Sequence, residues 1–477
     1  MGNLKVLFVA SEVNPFIKSG GLGDVAGSLP LALQELGADV RVCLPRYRNV
    51  DFNGYEPELV ASFNVQLDWR KPHCDVYITK NTAVPTYFIE SDQYFNRDTI
   101  YGHDDDFDRF AFFSRAVLTM LPEIDFCPDI IHLNDWQTGL CAVYLHDTFK
   151  KFKFYKNIKT VFTIHNLQYQ GNFSPYVLPQ VGLNNGYFTP DKLEHFGQTN
   201  YMKAGLAYAD YLTTVSPTYA HEIQTSQYGY GLEGLLQSRN HQLHGILNGI
   251  DYNEYNPATS PYLHAHYNAH NLANKAEIKA RTQSMLGLPV RADVPVFAII
   301  SRLVEQKGMD LLAGCLHDFA HHFDMQLIVL GTGHGHFENM LQNAAHNNPY
   351  KFSANITFNA ELSHQIYGAS DFFLMPSLFE PCGLGQLIAL RYGSVPVVRR
   401  TGGLADTITP YNYAKQEGCG IVFEHYDVNG LKWAVNEAIE LFKQPNHFSA
   451  AQKNGMMTDF SWGASAKKYL ELYHSLL

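Results

Sequence analysis

The sequence predicts a doubly wound α/β fold with two parallel sheets, and three observations carry this prediction. Short apolar runs recur along the chain, each ending in Gly, Asn, Asp or Ser. Stretches with helical periodicity follow these runs, a pattern typical of buried parallel strands joined by helices. At 477 residues the chain is too long for a single compact core, so we expect two or three domains.

The apolar runs divide into two groups. In the first half they are residues 4–11, 39–45, 86–91, 128–135, 159–166, 210–216 and 243–249. In the second half they are residues 295–301, 326–331, 371–377, 395–400 and 420–424. Because so many strands in one open sheet would be unusual, we expect two sheets. The break is predicted in the polar segment 248–270, which carries two prolines and lacks an apolar period.

The composition excludes several classes of protein. A formal net charge of −11 argues against a nucleic-acid surface, which would need a basic face. No apolar run approaches the ~18 residues that a membrane helix needs. The seven cysteines lack paired spacing, and a strand begins too early for a signal peptide, so we expect a soluble cytoplasmic protein.

Glycines and polar residues crowd the predicted strand ends, where doubly wound sheets bind their ligands. In the first half these residues are Glu12, Lys18, Gly20, Gly21, Asn134, Asp135, His165, Asn166, Asn248 and Asp251. In the second half they are Arg302, Lys307, Gly331, Gly333, Glu380, Cys382, Gly383, Thr401, Gly402 and Gly403. Two such edges facing each other would form a cleft between domains.

Two segments of the second half suggest an anion site. Arg302 leaves a strand end and Lys307 is predicted at the start of the next helix, where the helix dipole favours an anion. The alternative is that both are solvated charges. In EPCGLGQLIALRYG (380–393), Pro381 is expected at the first helical position. Glu380 could cap that helix or hold sugar hydroxyls.

One loop sequence occurs twice. KSGGLGD (18–24) and RTGGLAD (400–406) both follow an apolar run and place two glycines before a helical pattern. Such a turn lets the backbone approach a ligand, but it can also be a tight turn without one. Whether the second copy contacts a ligand or only shapes the wall of the site is open at this point.

Competing chemistries find less support. The chain has no GxxxxGK[ST] loop and no GxSxG elbow. The histidines of 264–270 lie in the predicted linker and are expected to be solvated rather than metal-bound. The acidic cluster 103–106 is interpreted as the N-terminal charge of a helix.

Eight ordered motifs together resemble a known family. They are KSGGLGDVAGSLP, HLNDWQTGL, TIHNLQYQG, KAGLAYADYLTTVSPTYA, LNGID, SRLVEQKG, LFEPCGLGQL and RRTGGLADT. This set is similar to the ADP-glucose-using glycogen synthases of bacteria and to the related plant starch synthases. The resemblance implies a GT-B fold: a Rossmann-like acceptor-side domain (1–247), a nucleotide-sugar domain (248–458), and a C-terminal helix (459–477) that crosses back to the first domain.

The resemblance also implies an activity. It is the retaining transfer of glucose from ADP-glucose to the non-reducing end of an α-1,4-glucan, such as glycogen or a malto-oligosaccharide, with no metal or other cofactor. The alternatives are another GT-B activity, with UDP-glucose or a different acceptor, and a non-catalytic glucan-binding protein. No motif supplies an obvious carboxylate nucleophile, so front-face attack is favoured, and domain closure would exclude water.

Site residues follow from the resemblance. The residues it implies for catalysis are Arg302, Lys307, Glu380, His165 and Asp135. Those it implies for substrate binding are Lys18, Gly20, Gly21, Asp24, Tyr94, Asn166, Asn248, Cys382, Gly383, Leu384, Thr401 and Gly402. Two departures are visible: Gly385 stands where relatives often have a hydroxyl residue, and Leu378 where many have Arg. Gly385→Ser is therefore predicted to tighten donor binding by one hydrogen bond.

Overall fold

The structure is a computed structural model that describes residues 3–477, and its chain divides into two compact units. The N-terminal unit extends to Asn248 and also contains Trp462–Leu477, while the C-terminal unit is Gly249–Ser461. The predicted boundaries, after residues 247 and 458, lie just before these. Residues 1 and 2 of the predicted first domain lie outside the described range. No helix among residues 3–477 has the length and apolar character needed to span a bilayer.

The N-terminal unit alternates strands with short helices. Its strands are β1 (Lys5–Val9), β2 (Asp39–Pro45), β3 (Glu58–Asn64), β4 (His73–Thr79), β5 (Thr86–Glu90), β6 (Ile130–Asn134), β7 (Lys159–Ile164), β8 (Asn172–Phe173), β9 (Glu194–His195), β10 (Gln198–Asn200), β11 (Tyr211–Thr214) and β12 (Leu243–Gly245). Its helices up to Asn248 are α1 (Gly21–Glu35), α2 (Asp92–Phe95), α3 (Asp106–Glu123), α4 (Gly139–Tyr144), α5 (Tyr201–Tyr208), α6 (Pro217–Glu222) and α7 (Glu233–Ser238).

Nine of these strands form one sheet in the order β12-β11-β7-β6-β1-β2-β5-β4-β3. The pairs are parallel except β3–β4 and β4–β5, which are antiparallel. Strand β1 lies between β2 and β6, so the strand order reverses there. At such a switch point the loops after neighbouring strands diverge and leave a crevice for a ligand. The loops after β1 and β6 are therefore the expected site of this unit.

The C-terminal unit contains a second doubly wound sheet. Its strands are β13 (Val296–Ile300), β14 (Gln326–Leu330), β15 (Phe352–Asn355), β16 (Phe372–Met375), β17 (Val395–Arg399) and β18 (Ile421–Phe423). Its helices are α8 (Ala273–Met285), α9 (Met309–His321), α10 (Gly335–Asn347), α11 (Ala360–Ala369), α12 (Gly385–Arg391), α13 (Gly402–Thr407), α14 (Val428–Phe442) and α15 (Pro445–Met457).

All six strands of this sheet are parallel, in the order β15-β14-β13-β16-β17-β18. The switch point lies between β13 and β16, which places the loops that follow these two strands at the expected ligand edge. Helix α14 shows how the sequence builds the layer over the sheet. Its N-cap Asp427 accepts the backbone N–H of Gly430 at 2.7 Å, and Leu431, Val435 and Ala438 face the core.

The last helix, α16 (Trp462–Ser475), belongs to the N-terminal unit. Trp462, Ala466, Tyr469 and Tyr473 are buried in the same apolar cluster as the β1 and α1 side chains. Their spacing of three or four residues places them on one apolar face of the helix. Because α16 completes this core, the N-terminal unit is assembled from the two ends of the chain.

The predicted doubly wound α/β class is confirmed, and each predicted run contains a strand. The prediction missed β3, β4, β15 and a small antiparallel sheet of order β8-β10-β9. Strand β3 lies at the edge of its sheet with several exposed residues, so it lacks the continuous apolar run of a buried strand. The sheet of the N-terminal unit is consequently mixed rather than fully parallel.

Candidate active site

The loop after β1 is organised around the buried carboxylate of Glu12. The backbone N–H groups of Ser19 and Gly20 donate to its Oε2, the latter at 3.2 Å. The hydroxyls of Ser19 and Tyr101 donate to Oε1 at 3.2 and 3.3 Å. Burial raises the pKa of the Glu12 carboxyl, although these donors act in the opposite direction. Glu12 thus holds the turn that precedes α1.

Lys18 and the glycine pair lie at the surface of this turn. The Nζ of Lys18 is 2.6 Å from Oδ1 of Asp24, so the two predicted binding residues are paired with each other. A Cβ added at Gly20 or Gly21 would meet no atom within 4 Å, whereas one at Gly23 would lie 2.7 Å from Cβ of Lys18. The packing of the unit therefore does not require glycine at 20 and 21, and both residues are exposed.

Asp135 follows β6 in a strained backbone conformation. Its φ of 56° and ψ of −179° lie in a region that residues other than glycine rarely occupy. Its Oδ1 accepts the backbone N–H of His165 at 2.8 Å, and the N–H of Asn166 also donates to the carboxylate. Burial raises the pKa of Asp135 to about 7. Backbone strain combined with a shifted pKa is typical of functional sites.

His165 follows β7, the neighbour of β6, and is half-buried. Its Nε2 is 2.9 Å from Oδ1 of Asn134. Burial lowers the pKa of His165 to about 3, so the imidazole is neutral at physiological pH. The next residue, Asn166, accepts the backbone N–H of Gln168 with its Oδ1 at 3.0 Å. The structure therefore brings together Asp135, His165 and Asn166, and their predicted roles toward the substrate stay predictions.

Two further predicted binding residues of this unit are enclosed. The ring of Tyr94 stacks on Phe112 at 4.5 Å, and its hydroxyl donates to Asp108 at 3.2 Å. Tyr94 is only 1% exposed in this structure, and the substrate contact predicted for it stays a prediction. Asn248 is also buried, but its Oδ1 has no hydrogen-bond partner within residues 3–477. An unpaired buried amide oxygen is a group that a ligand can satisfy.

In the C-terminal unit, Lys307 and Glu380 form an ion pair. The Nζ of Lys307 is 2.6 Å from Oε2 of Glu380, and the hydroxyl of Ser377 donates to the same oxygen at 3.2 Å. Lys307 ends a 3-10 turn (Glu305–Lys307), and α9 begins only at Met309. The prediction that Lys307 begins the helix is thus wrong by two residues.

Gly308 explains this position of Lys307. Its φ is 76°, and an added Cβ would lie 2.1 Å from the carbonyl oxygen of Pro376. Only glycine allows both this left-handed conformation and so close an approach. The backbone N–H of Leu378 also donates to the carbonyl of Gln306 at 2.9 Å. These contacts hold the lysine turn against the loop that follows β16.

Arg302 follows β13 at the same switch point and is exposed. Its guanidinium makes no hydrogen bond or ion pair with any residue that the structure describes. The unit thus presents one unpaired cation beside a lysine that is neutralised by a carboxylate. This arrangement can accept an anionic group with several oxygens, such as a diphosphate.

The segment Cys382–Leu384 leads into α12. Gly383 has a φ of 74°, and an added Cβ would lie 2.4 Å from Oε1 of Gln386. The Nε2 of Gln386 donates to the carbonyls of Cys382 and Gly383 at 2.9 and 3.0 Å. Helix α12 begins at Gly385, so Pro381 precedes the helix and is not its first residue as predicted. The left-handed Gly383 is what delays the helix start.

The second heptapeptide has a different environment from the first. Gly402 has a φ of 41°, and a Cβ there would lie 1.9 Å from the carbonyl oxygen of Glu380. A Cβ at Gly403 would lie 2.1 Å from the carbonyl oxygen of Cys382, and the N–H of Gly403 donates to Glu380 O at 3.0 Å. Thr401 is buried. In this structure the two glycines pack against the backbone carbonyls of Glu380 and Cys382. The ligand contacts predicted for Thr401 and Gly402 stay predictions.

Sequence reasoning did not assign a role to several residues that shape the site. Glu12 and Asn134 stood in the list of strand-end residues without a function, and Ser377 ends a predicted strand run. Arg399 lay in the predicted run 395–400 and in the RRTGGLADT motif without a role of its own, and no pattern singled out Tyr101. The Nε of Arg399 donates to the carbonyl of Ser377 at 2.8 Å, and its Nη2 donates to the carbonyl of Leu378.

Comparisons with known proteins agree with this architecture. Residues 5–238 match the starch synthase catalytic domain, and residues 282–455 match the glycosyl transferases group 1 family. The glycogen synthase of Desulforamulus reducens is 49% identical over 476 residues, covering 99% of both chains. The glycogen synthase of Alkaliphilus metalliredigens is 48% identical and covers 99% of this chain and 100% of the relative.

Solved structures extend the likeness to three dimensions. The catalytic domain of starch synthase IV from Arabidopsis thaliana, solved bound to ADP and acarbose, superposes with a TM-score of 0.93 at 34% identity. The match covers 100% of this chain and 99% of that one. Sucrose-phosphate synthase from Thermosynechococcus elongatus, at 18% identity and a TM-score of 0.64 over 99% of both chains, shares the fold alone. With its GT-B fold and these full-length relatives, the chain belongs to the glycogen synthase family.

Proposed function

We propose that this protein elongates glycogen by transferring glucose, with retention of configuration, from ADP-glucose to the non-reducing end of an α-1,4-glucan. The observation that carries the proposal is the Lys307–Glu380 pair beside the unpaired Arg302, at the switch point of the C-terminal unit. Membership of the glycogen synthase family supports the glucan acceptor. The starch synthase IV structure, solved with ADP and acarbose, supports ADP as the nucleotide.

The cations are assigned to the leaving diphosphate. Breaking the bond between glucose and phosphate leaves negative charge on ADP, and groups that are already oriented toward that charge lower the barrier. Arg302 has no partner to give up among the described residues, and Lys307 is held in place by the turn that ends at Gly308. In the N-terminal unit, Lys18 and the exposed turn at Gly20 and Gly21 are assigned to donor binding.

Glu380 is assigned to the glucose. In this structure it neutralises Lys307, and a bound diphosphate would replace it as the partner of that lysine. The carboxylate would keep the hydroxyl of Ser377 on Oε2 and could accept hydrogen bonds from sugar hydroxyls. Donor binding would therefore exchange one ion pair for two interactions, without leaving a buried charge unpaired. The unpaired Oδ1 of Asn248 supports a further sugar contact.

Retention is assigned to front-face attack. Asp135 accepts two backbone N–H groups, and its pKa of about 7 leaves much of it protonated at neutral pH, which does not suit a nucleophile. In the proposed step the bond from C1 to the phosphate oxygen breaks while the acceptor oxygen bonds to C1 on the same face. The acceptor's hydroxyl proton passes to the leaving phosphate, and ADP departs.

No metal or other cofactor is assigned to the reaction. Two cations of the chain, Arg302 and Lys307, supply positive charge that a metal would otherwise bring to the diphosphate. We expect full activity after exhaustive dialysis against EDTA, and a loss restored by Mg²⁺ would overturn this part of the proposal. The seven free cysteines suit a reducing compartment, and we propose that the enzyme works in the cytoplasm.

A direct assay tests the function. The purified protein is incubated with glycogen and either ADP-glucose or UDP-glucose, each labelled in the glucose, and label in the polymer is counted. We expect incorporation from ADP-glucose that β-amylase releases as maltose, because that enzyme removes newly added α-1,4-linked units from non-reducing ends. Incorporation from UDP-glucose alone would show that the donor is UDP-glucose rather than ADP-glucose. Binding of glycogen without incorporation from either donor would show that the protein is a glucan-binding protein and not an enzyme.

A further inference from the structure

Asn134 connects β6 to the candidate active site through three hydrogen bonds. It is the last residue of β6 and is fully buried. Its Nδ2 donates to the carbonyl of Val9 in β1 at 2.9 Å and to the carbonyl of His132 at 3.4 Å. Its Oδ1 lies 2.9 Å from Nε2 of His165. A strand-end amide thus bridges the β1 backbone and a site imidazole.

The two carbonyls determine which way the amide faces. If the amide were rotated by half a turn, its oxygen would meet the oxygens of Val9 and His132, and neither could donate. The oxygen therefore faces His165 and must accept, so Nε2 of His165 carries the hydrogen. The Nδ1 of that ring then holds a lone pair, and it has no partner within residues 3–477.

We propose that Asn134 is a positioning residue, which fixes the His165 ring in its Nε2–H form so that Nδ1 accepts a hydrogen bond from a hydroxyl of the donor glucose. The sugar hydroxyl in this inference rests on the proposed function, whereas the tautomer does not. His165 is then a neutral acceptor in the site, and it is neither an acid nor a hydrogen-bond donor toward the substrate. The side chain of Asn134 itself contacts no substrate.

The charged groups around His165 agree with this role. Asp135 receives the backbone N–H of His165, and His132 lies close enough to interact electrostatically with the ring. His132 is itself neutral, because burial lowers its pKa to about 3. Burial also lowers the pKa of His165 to about 3, so the lone pair on Nδ1 is available at physiological pH.

The tautomer can be measured directly in the ligand-free protein. Two-bond nitrogen–proton correlation spectra of histidine-labelled protein distinguish Nε2–H from Nδ1–H rings, and the spectrum of His165→Gln identifies the missing resonance among the 22 histidines. We expect the Nε2–H pattern for His165 in the wild type. An Nδ1–H pattern, or an even mixture, would overturn the inference whatever the enzyme's activity.

Kinetics then test the consequence for the donor. Asn134→Leu removes the acceptor, and we expect the KM for ADP-glucose to rise about tenfold, the value of one neutral hydrogen bond, with a smaller change in kcat. The matched control is Asn355→Leu. Asn355 also ends a strand and donates its Nδ2 to a carbonyl of the neighbouring strand, Val329 O at 3.2 Å. Its side chain donates to Val329 and Ser353 and to no histidine among residues 3–477, so the KM should stay within twofold.

Asn134→Asp provides a readout that a purely structural role would not change. An added carboxylate still accepts from Nε2 but stabilises the imidazolium, whose Nδ1 donates and cannot accept. We expect the donor KM of this variant to rise with falling pH between 8 and 6, while that of the wild type stays flat. Parallel pH profiles in folded variants would overturn the inference. If the wild-type protein were inactive with every nucleotide sugar, the proposed function would be refuted. The assignment of the His165 tautomer would still stand, because it does not depend on activity.

Discussion

Lys307 is held in one position in which it pairs with Glu380 and, in the proposed function, with a phosphate of the donor. Its turn is fixed by the left-handed Gly308, and its charge is neutralised by a buried carboxylate at 2.6 Å. A lysine on a flexible surface loop would lose side-chain entropy each time it bound a phosphate. Here that ordering is already present in the ligand-free protein, so the exchange of Glu380 for phosphate requires little rearrangement.

Replacing Lys307 by Gln should therefore reduce turnover strongly. The variant is shorter by one atom and keeps a donor for Glu380, but it removes the charge assigned to the leaving diphosphate. We expect kcat on glycogen with saturating ADP-glucose to fall about a hundred- to thousandfold, and KM to change less. The control is Lys443→Gln, which removes a lysine paired at 2.7 Å with the exposed Glu440. A folded Lys307→Gln enzyme within threefold of the parent would contradict the assignment.

Gly385 shows where structure changes a prediction made from sequence. A Cβ at this position would lie 3.0 Å from the ring of Phe373, which is buried and stacked on Tyr367. A hydroxyl residue cannot enter here unless that ring moves. The glycine at position 385 and the phenylalanine at position 373 therefore depend on each other, because the ring occupies space that a larger residue at 385 would need.

We expect Gly385→Ser alone to lower the free energy of unfolding by about 1 kcal/mol, because the core is overpacked, and to leave the donor KM no lower. The double variant Gly385→Ser with Phe373→Leu should lower the KM for ADP-glucose about two- to tenfold, as one added hydrogen bond would. Phe373→Leu serves as the control. Urea unfolding measures the stability and initial rates measure the donor KM. A lower KM in the single variant would show that the Phe373 ring moves aside at little cost in free energy.

At the scale of elements, the two glycine heptapeptides turn out to be alike in sequence and unlike in surroundings. The first opens α1 at two exposed glycines, Gly20 and Gly21, where an added Cβ would meet no atom within 4 Å. The second opens α13 with glycines pressed against the carbonyls of Glu380 and Cys382. One turn is therefore suited to a ligand, while the other supports the loop that carries a site carboxylate.

Alanine at each turn should separate these roles. Gly21→Ala fits without a clash, so we expect unchanged thermal stability and a donor KM raised about tenfold by the methyl group at the ligand surface. Gly403→Ala places a Cβ 2.1 Å from Cys382 O, so the free energy of unfolding should fall by about 1–3 kcal/mol. Calorimetry and initial rates are the measurements. Equal loss of stability in both variants would mean that the first turn is packed as tightly as the second.

The sequence could predict those elements whose signal is local. Buried parallel strands such as β1, β6 and β13 are continuous apolar runs. The candidate site residues that follow these strands could be listed from their place at a strand end alone. The edge strand β3 and the tripeptide β10 depend on neighbours distant in the chain, so no local pattern reveals them. For the same reason the Lys307–Glu380 pair, separated by more than seventy positions, could be listed as two residues but not predicted as a pair.

His132 connects three elements by hydrogen bonds inside the N-terminal unit. Its Nδ1 is 2.6 Å from the hydroxyl of Tyr473 in α16, and its Nε2 is 2.6 Å from the hydroxyl of Thr163 in β7. Burial lowers the pKa of His132 to about 3, whereas in the unfolded chain it is near 6.5. Below pH 6.5 the unfolded chain therefore binds a proton that the folded unit excludes.

Stability from this group is fully present above about pH 6.5 and is lost as the pH falls toward 3, by about 1.4 kcal/mol per pH unit. His132→Gln removes this contribution while keeping polar atoms for both hydroxyls. We expect its free energy of unfolding to fall less than that of the wild type between pH 7.5 and 5.5, as measured in urea. Parallel pH dependences would contradict this, because they would show that the pKa of His132 is the same in the folded and unfolded states.

At the scale of the whole molecule, the N-terminal unit requires both ends of the chain. Deletion of residues 462–477 would expose the apolar surface that Trp462, Tyr469 and Tyr473 now cover, and would leave Nδ1 of His132 without a partner. We expect the truncated protein to lose the calorimetric transition of the N-terminal unit, or to show it at least 10 °C lower. The transition of the continuous C-terminal unit should stay within about 2 °C, and equal losses in both units would contradict this description.

The return of α16 also has a consequence for synthesis on the ribosome. Proteins of several domains usually acquire their structure from the N-terminal end first. Here the unit translated first cannot close its core until residue 462 and those after it have left the exit tunnel, by which time residues 249–461 have all emerged. The unit made second is thus free to finish first, and the earlier one waits with an uncovered apolar face that chaperones would recognise during the whole of that delay.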